Sequence, residues 1–143
     1  MKNILEEIAA RTRERIAKEK TCISVSELEN RIQEVNKNAR KRITFLQALQ
    51  KDGMSYICEV KKASPSKGLI APDFPYLAIA KEYEQAGASA ISCLTEPFYF
   101  QGADRYLREI AAAVQIPVLR KDFTVDEYMI HQAKSLGASA VLL

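Results

Sequence analysis

At 143 residues, 48% of them hydrophobic, the chain can fill the core of one domain, and 27% charged residues set it apart from disordered sequences. Its net charge of +3 is unevenly spread: residues 1–51 hold 12 Lys/Arg against 7 Asp/Glu, and residues 52–143 hold 9 against 11. The basic end lacks interleaved aromatics and mixes its cations with Glu on helical faces. It reads as solvated helix surface, not as a nucleic-acid site.

The first 51 residues read as a helical extension, and residues 52–143 as a second, strand-bearing unit. Residues 3–20 predict a first helix with Leu5, Ile8, Ala9, Thr12 and Ile16 in one stripe. Ser26 followed by Glu29 has the spacing of a capping box. It opens a second helix with Leu28, Ile32 and Val35 on one side, ended by the polar, basic stretch Asn36–Arg42. Thr44 caps a short third helix through Phe45, Leu46 and Leu49, stopped near Gly53.

From Met54 the pattern becomes strand, loop, helix, repeated. Strand one covers residues 55–61, and a polar loop follows from Lys62 to Gly68. Asp73 is a candidate cap for a helix through Leu77, Ala80, Tyr83 and Ala86, with Pro75 in its first turn and Gly87 ending it. Strand two is Ala90–Leu94, and the loop Thr95–Gly102 carries Glu96, Phe98, Tyr99 and Phe100. A helix from Asp104, strand three (Pro117–Lys121), a helix from Asp126 to Leu136 and strand four (Ser139–Leu143) complete the chain. Gly87-Ala88-Ser89-Ala90-Ile91 is echoed 50 residues on as Gly137-Ala138-Ser139-Ala140-Val141. Each copy closes a helix and enters an apolar strand, as a repeated αβ unit does.

Strands that alternate with helices predict a parallel sheet, either open or curved into a β/α barrel. No Gly-x-Gly-x-x-Gly follows strand one, so a dinucleotide fold is unsupported. Strand alternation turns Glu59 and Lys61 to one face and Tyr56, Cys58 and Val60 to the other. Glu59, Lys61, Glu96 and Lys121 all fall where strands run into loops, which is how a barrel assembles a site. The competing reading is a solvated edge strand with a surface ion pair. Four strands leave two bare edges, so the expectation is the first half of a TIM (β/α)8 barrel, about four βα units, completed by a missing carboxyl-terminal half or by self-association.

The three cysteines, Cys22, Cys58 and Cys93, form no C-x-x-C and no even framework, so free thiols are expected. His131 is the sole histidine, which excludes a multi-histidine metal site. No signal-peptide pattern is visible, and no apolar run reaches the ~20 residues that span a bilayer. The expectation is a cytoplasmic protein with no membrane partner.

Glu59-Val60-Lys61-Lys62-Ala63-Ser64-Pro65-Ser66-Lys67-Gly68 resembles the signature of indole-3-glycerol phosphate synthases. Leu94-Thr95-Glu96 through Phe100-Gln101-Gly102, Leu119-Arg120-Lys121-Asp122-Phe123 and the leading helix resemble that family too, in the same order. The resemblance implies a tryptophan-pathway lyase on a (βα)8 barrel, acting on the anionic 1-(2-carboxyphenylamino)-1-deoxyribulose 5-phosphate. The enzyme closes the indole ring with loss of carbon dioxide and water, and needs no metal or organic cofactor. It implies Lys121 as general acid at the ketone, Lys61 as a binder of carboxylate and phosphate and a proton donor in dehydration, and Glu59 paired with Lys61 as a base or an electrostatic stabiliser. It implies Ser64 and Glu96 as substrate-binding residues, with Phe100 and Phe123 around the anthranilate ring. Gly102-Ala103 departs from the usual Gly-Ser. The family's further catalytic glutamate and main phosphate loops belong to later strands, so this chain by itself is expected to be inactive. The alternatives are a non-catalytic, self-associating half-barrel and another phosphate-binding barrel enzyme.

Overall fold

The computed structural model describes residues 3–38 and 42–143. Helix α1 (Ile4–Cys22) starts at Asn3, whose side chain accepts from Leu5 N at 3.1 Å, and it buries Ile8, Thr12 and Ile16. Helix α2 (Val25–Asn38) starts earlier than predicted: Ser24, not Ser26, accepts from the amide three residues on, Glu27 N, at 3.2 Å. Ser24 and Ser26 both head an S-x-x-E spacing. The extended backbone of Ile23 selects the first, because a cap must stand just outside the helix. The predicted end of α2 falls partly on residues 39–41, outside the described residues. Helix α3 (Phe45–Leu49) has the predicted Thr44 cap, with Gln47 completing a capping box.

Strand β1 (Ile57–Val60) is shorter than predicted, and the loop after it folds into a small antiparallel ribbon of β2 (Ala63–Ser64) and β3 (Gly68–Leu69). Helix α4 (Tyr76–Gln85) is not capped by Asp73; Pro75 occupies its N-cap without a side-chain bond. Phe74 precedes Pro75 and is thereby biased away from the helical region, so the helix starts past Asp73; its ring packs edge-on to Tyr106 at 5.3 Å between centroids. Strand β4 (Ala90–Leu94), helix α5 (Asp104–Ala113), strand β5 (Val118–Lys121) and helix α6 (Tyr128–Ser135) follow, and β6 (Ala140–Val141) is only two residues long. The echoed motif is structural: Gly87 and Gly137 both have φ near +90°, and Ala88 N and Ala138 N each bond back to Tyr83 O and Ala133 O at 3.0 Å. That is the Schellman closure in duplicate.

The main sheet has the order β1-β4-β5-β6, all parallel, with chain neighbours adjacent. Alternation along each strand gives the sheet two faces. Val60, Ile91, Cys93 and Val118 form one core with Ala80, Leu107, Ile110 and Ala133 of the outer helices. Ile57, Glu59, Ser92, Leu119 and Lys121 occupy the inner face. A second cluster joins Ile16 and Leu28 of the amino-terminal helices to Tyr128 and Met129 of α6. No helix among the described residues is long and apolar enough to cross a membrane.

Candidate active site

Glu59 leaves β1 on the inner face, paired in register with Ser92 of β4, while Lys121 ends β5 in register with Leu94. Glu59 and Lys121 thus lie toward the carboxyl ends of their strands, with Ser92 at the middle of β4. Lys121 Nζ donates to Glu59 Oε2 at 2.9 Å, and Lys61 Nζ stands 3.1 Å from Glu59 Oε1. Ser92 Oγ donates to Glu59 Oε2 at 3.4 Å. One carboxylate is thus bracketed by two ammonium groups, each about one-third exposed. Burial pushes the Glu59 carboxyl upward, but the hydrogen bonds and charges of Lys121 and Lys61 outweigh it and hold the group below its usual range.

Phe100 and Phe123 approach to 6.4 Å between ring centroids. With Leu94, Val125 and Leu142 they line a largely apolar cavity of about 240 Å³ that has Lys121 in its wall. The site therefore sets cations beside a place for a flat apolar group.

Other expected residues are placed differently. Glu96 is 0% exposed, and its carboxylate accepts from the amides of Phe98, Tyr99 and Phe100 at 2.9, 2.7 and 3.0 Å. In this structure the Glu96 oxygens shape the aromatic loop. The loop closes where Gly102 N donates to Glu96 O at 2.8 Å. A Cβ on Gly102 would lie 2.5 Å from Leu94 O, so only glycine fits. Ser64 is buried in the β2–β3 ribbon and its Oγ accepts from Lys67 N at 3.3 Å, with no hydrogen bond to the Glu59 cluster. Arg120 does not stand beside Lys121 despite their adjacency in sequence. Alternation sends its guanidinium to the helix side, where it bonds Thr95, Gln132 and Asp104 at 3.0, 2.8 and 3.0 Å.

The sequence reading missed Arg15 and Asp122. Arg15 Nη2 donates to both oxygens of Asp122, at 3.0 and 2.9 Å, from 107 residues away. Only the charge of a half-apolar helix hinted at such a contact. Among the described residues, no group of three or more His, Cys, Asp or Glu side chains could hold a metal ion. The three cysteines are free, and burial pushes the Cys93 thiol up to about 12.

Sequential parallel strands backed by helices, with ionisable groups gathered at their carboxyl ends, are the architecture of a β/α-barrel enzyme. Comparison with known proteins is more specific. Residues 5–143 match the family described as "Indole-3-glycerol phosphate synthase". Proteins of that name from Lacticaseibacillus paracasei and Endomicrobium trichonymphae are 51% and 52% identical over 98% of this chain, covering 53% and 54% of their own lengths. One from Geobacillus thermodenitrificans is 56% identical over 72% of this chain and 41% of its own. The chain belongs to the indole-3-glycerol phosphate synthase family, and its four strands form a half-barrel of that TIM fold. It spans about half the length of the curated relatives it matches.

Proposed function

We propose that this chain contributes the amino-terminal half of an indole-3-glycerol phosphate synthase site in tryptophan biosynthesis. The carrying observation is the Lys121–Glu59–Lys61 bracket beside the Phe100–Phe123 cavity. In this reading the anthranilate ring of 1-(2-carboxyphenylamino)-1-deoxyribulose 5-phosphate lies against Phe100 and Phe123. Lys121 protonates the ketone oxygen as the carboxylate-bearing ring carbon attacks, a step in which a nearby cation stabilises growing negative charge. Loss of carbon dioxide restores aromatic character to the benzene ring. Lys61 binds the substrate's anionic groups and protonates the departing hydroxyl, while Glu59 takes the proton from the adjacent carbon, so that water leaves and the ring double bond forms. Ser64 helps hold the substrate if the β2–β3 ribbon turns its hydroxyl inward on binding. No metal or organic cofactor is required.

The helical extension of residues 1–51 acts here as a cover for the barrel rim, and residues 52–143 as the chemical unit. The inner face has Ile57 and Leu142 still 48% and 44% exposed, which supports a complementary half-barrel as the partner of both open edges. Alone, the chain turns over little or no substrate. The test co-expresses it with the matching carboxyl-terminal half of the Lacticaseibacillus paracasei relative and follows indole fluorescence on the stated substrate. Turnover by the pair, lost in Lys121→Met, supports the reading. A folded pair without turnover sinks it, and full turnover by the isolated chain removes the need for a partner. The same apolar edges favour one second reading, self-association into a closed dimer, which sedimentation of the isolated chain resolves.

A further inference from the structure

Asp122 stands between Lys121 and Phe123, two residues on which the proposed function rests, and its side chain is 0% exposed. Beyond the two bonds from Arg15, its carboxylate accepts from Thr95 Oγ1 at 2.6 Å and from Phe123 N at 2.8 Å, with Arg120 Nη2 at 3.6 Å. Thr95 N also donates to Lys121 O at 3.0 Å. The backbone on either side of Lys121 is therefore tied down, and most of the ties end on one buried carboxylate.

Arg120 is already engaged by Asp104, Gln132 and Met129 O. Arg15 is the cation that Asp122 holds with two short bonds, and it comes from outside the sheet. It belongs to a single face of α1 spaced four residues apart. Glu7 accepts from Tyr99 Oη, Arg11 lies 5.6 Å from the centroids of Phe98 and Tyr99, and Glu19 accepts from Gln132 at 2.7 Å. One helix face thus runs from the aromatic loop, over the end of β5, to α6.

We propose that Asp122, neutralised by Arg15 of the amino-terminal helix, is the positioning residue that sets Lys121 against Glu59. Docking of α1 then completes the site without touching substrate. The physical reason is that a buried carboxylate stripped of its cation recruits another or rearranges, and the peptide it carries moves with it. Displacing a reacting group by about 1 Å lowers turnover on the order of 100-fold. The inference rests on the reading of Lys121 as a site residue, so the test reads Lys121 itself.

In the ¹⁵N-labelled chain, the ammonium signal of Lys121, assigned through Lys121→Arg, should be protected by its bond to Glu59. Arg15→Met should speed its proton exchange by about tenfold or more, while the Lys61 signal stays as it was. Lys20→Met, which removes a surface tie of the same helix to Asp126, should leave Lys121 unchanged. Both bonds to Asp122 come from the one nitrogen Nη2, so Arg15→Lys keeps the charge but reaches less far, and should restore part of the protection. If Arg15→Met does not fold, Arg15→Lys decides: an intermediate Lys121 signal supports the proposal. An unchanged Lys121 signal in a folded Arg15 variant overturns it. A Lys121 signal unprotected in the unsubstituted chain defeats this inference and the Glu59 pairing together. Protected lysines in an inactive completed barrel defeat only the catalytic reading.

Discussion

The two faces of the same four strands differ in how finished they are. The helix-facing side is dry: Ile91 and Cys93 of β4 are sealed among Ala80, Leu107 and Ile110. The inner side carries Glu59, Lys61 and Lys121 and leaves Ile57 half open to solvent. Residues one apart in sequence, such as Val60 and Lys61 or Arg120 and Lys121, therefore serve different ends. One set holds the fold and the other is free to carry chemistry.

Substitutions on each side should separate the two roles. The largest effect belongs to Lys121→Met in the completed barrel, where kcat should fall roughly 10²–10⁴-fold with an unchanged melting temperature, as removal of a general acid does. A matching loss of melting temperature would place Lys121 among the structural residues instead. Ile91→Ala, on the dry side, should cost about 2–5 kcal/mol in urea unfolding and leave the ammonium signals of Lys61 and Lys121 in place. Glu59→Gln sharpens the contrast through pH. The folded carboxyl titrates below its ordinary 4.5, so its stabilising contribution is complete above that value and is lost as pH falls through the lower, folded value. Urea midpoints taken between neutral and acid pH should therefore drop less steeply in Glu59→Gln. Smallest is Lys20→Met, which breaks a largely exposed 2.7 Å pair with Asp126. It should cost about 0.2–1 kcal/mol and less in high salt.

Periodicity made the order of elements legible, because each strand and each helix buries one regular face. The duplicated Gly-Ala-Ser-Ala run located two helix ends correctly, since a left-handed glycine after a helix has a local cause. The Glu59–Lys61 pairing was equally local: two residues on one strand, two apart. Caps were harder. Ser24 and Ser26 offer the same spacing, and Pro75, not Asp73, stands at the N-cap of α4, because the residue before a proline is biased away from the helical region. The inward turn of Glu96 onto its own loop was not legible, because a glutamate at a strand end looks alike whether it faces outward or back onto its own amides. Arg15 and Asp122 are 107 residues apart, and no pattern within either segment announces their meeting.

The carboxylate held between two ammonium groups also sets the terms on which any guest arrives. An anion reaching Lys61 or Lys121 meets a tethered carboxylate already in place. Small single-charged ions should be turned away, and a molecule carrying two separated negative groups, able to engage both lysines at once, has the advantage. If the proposed site binds such a molecule, its selectivity should be a matter of displacement, set before any ligand enters.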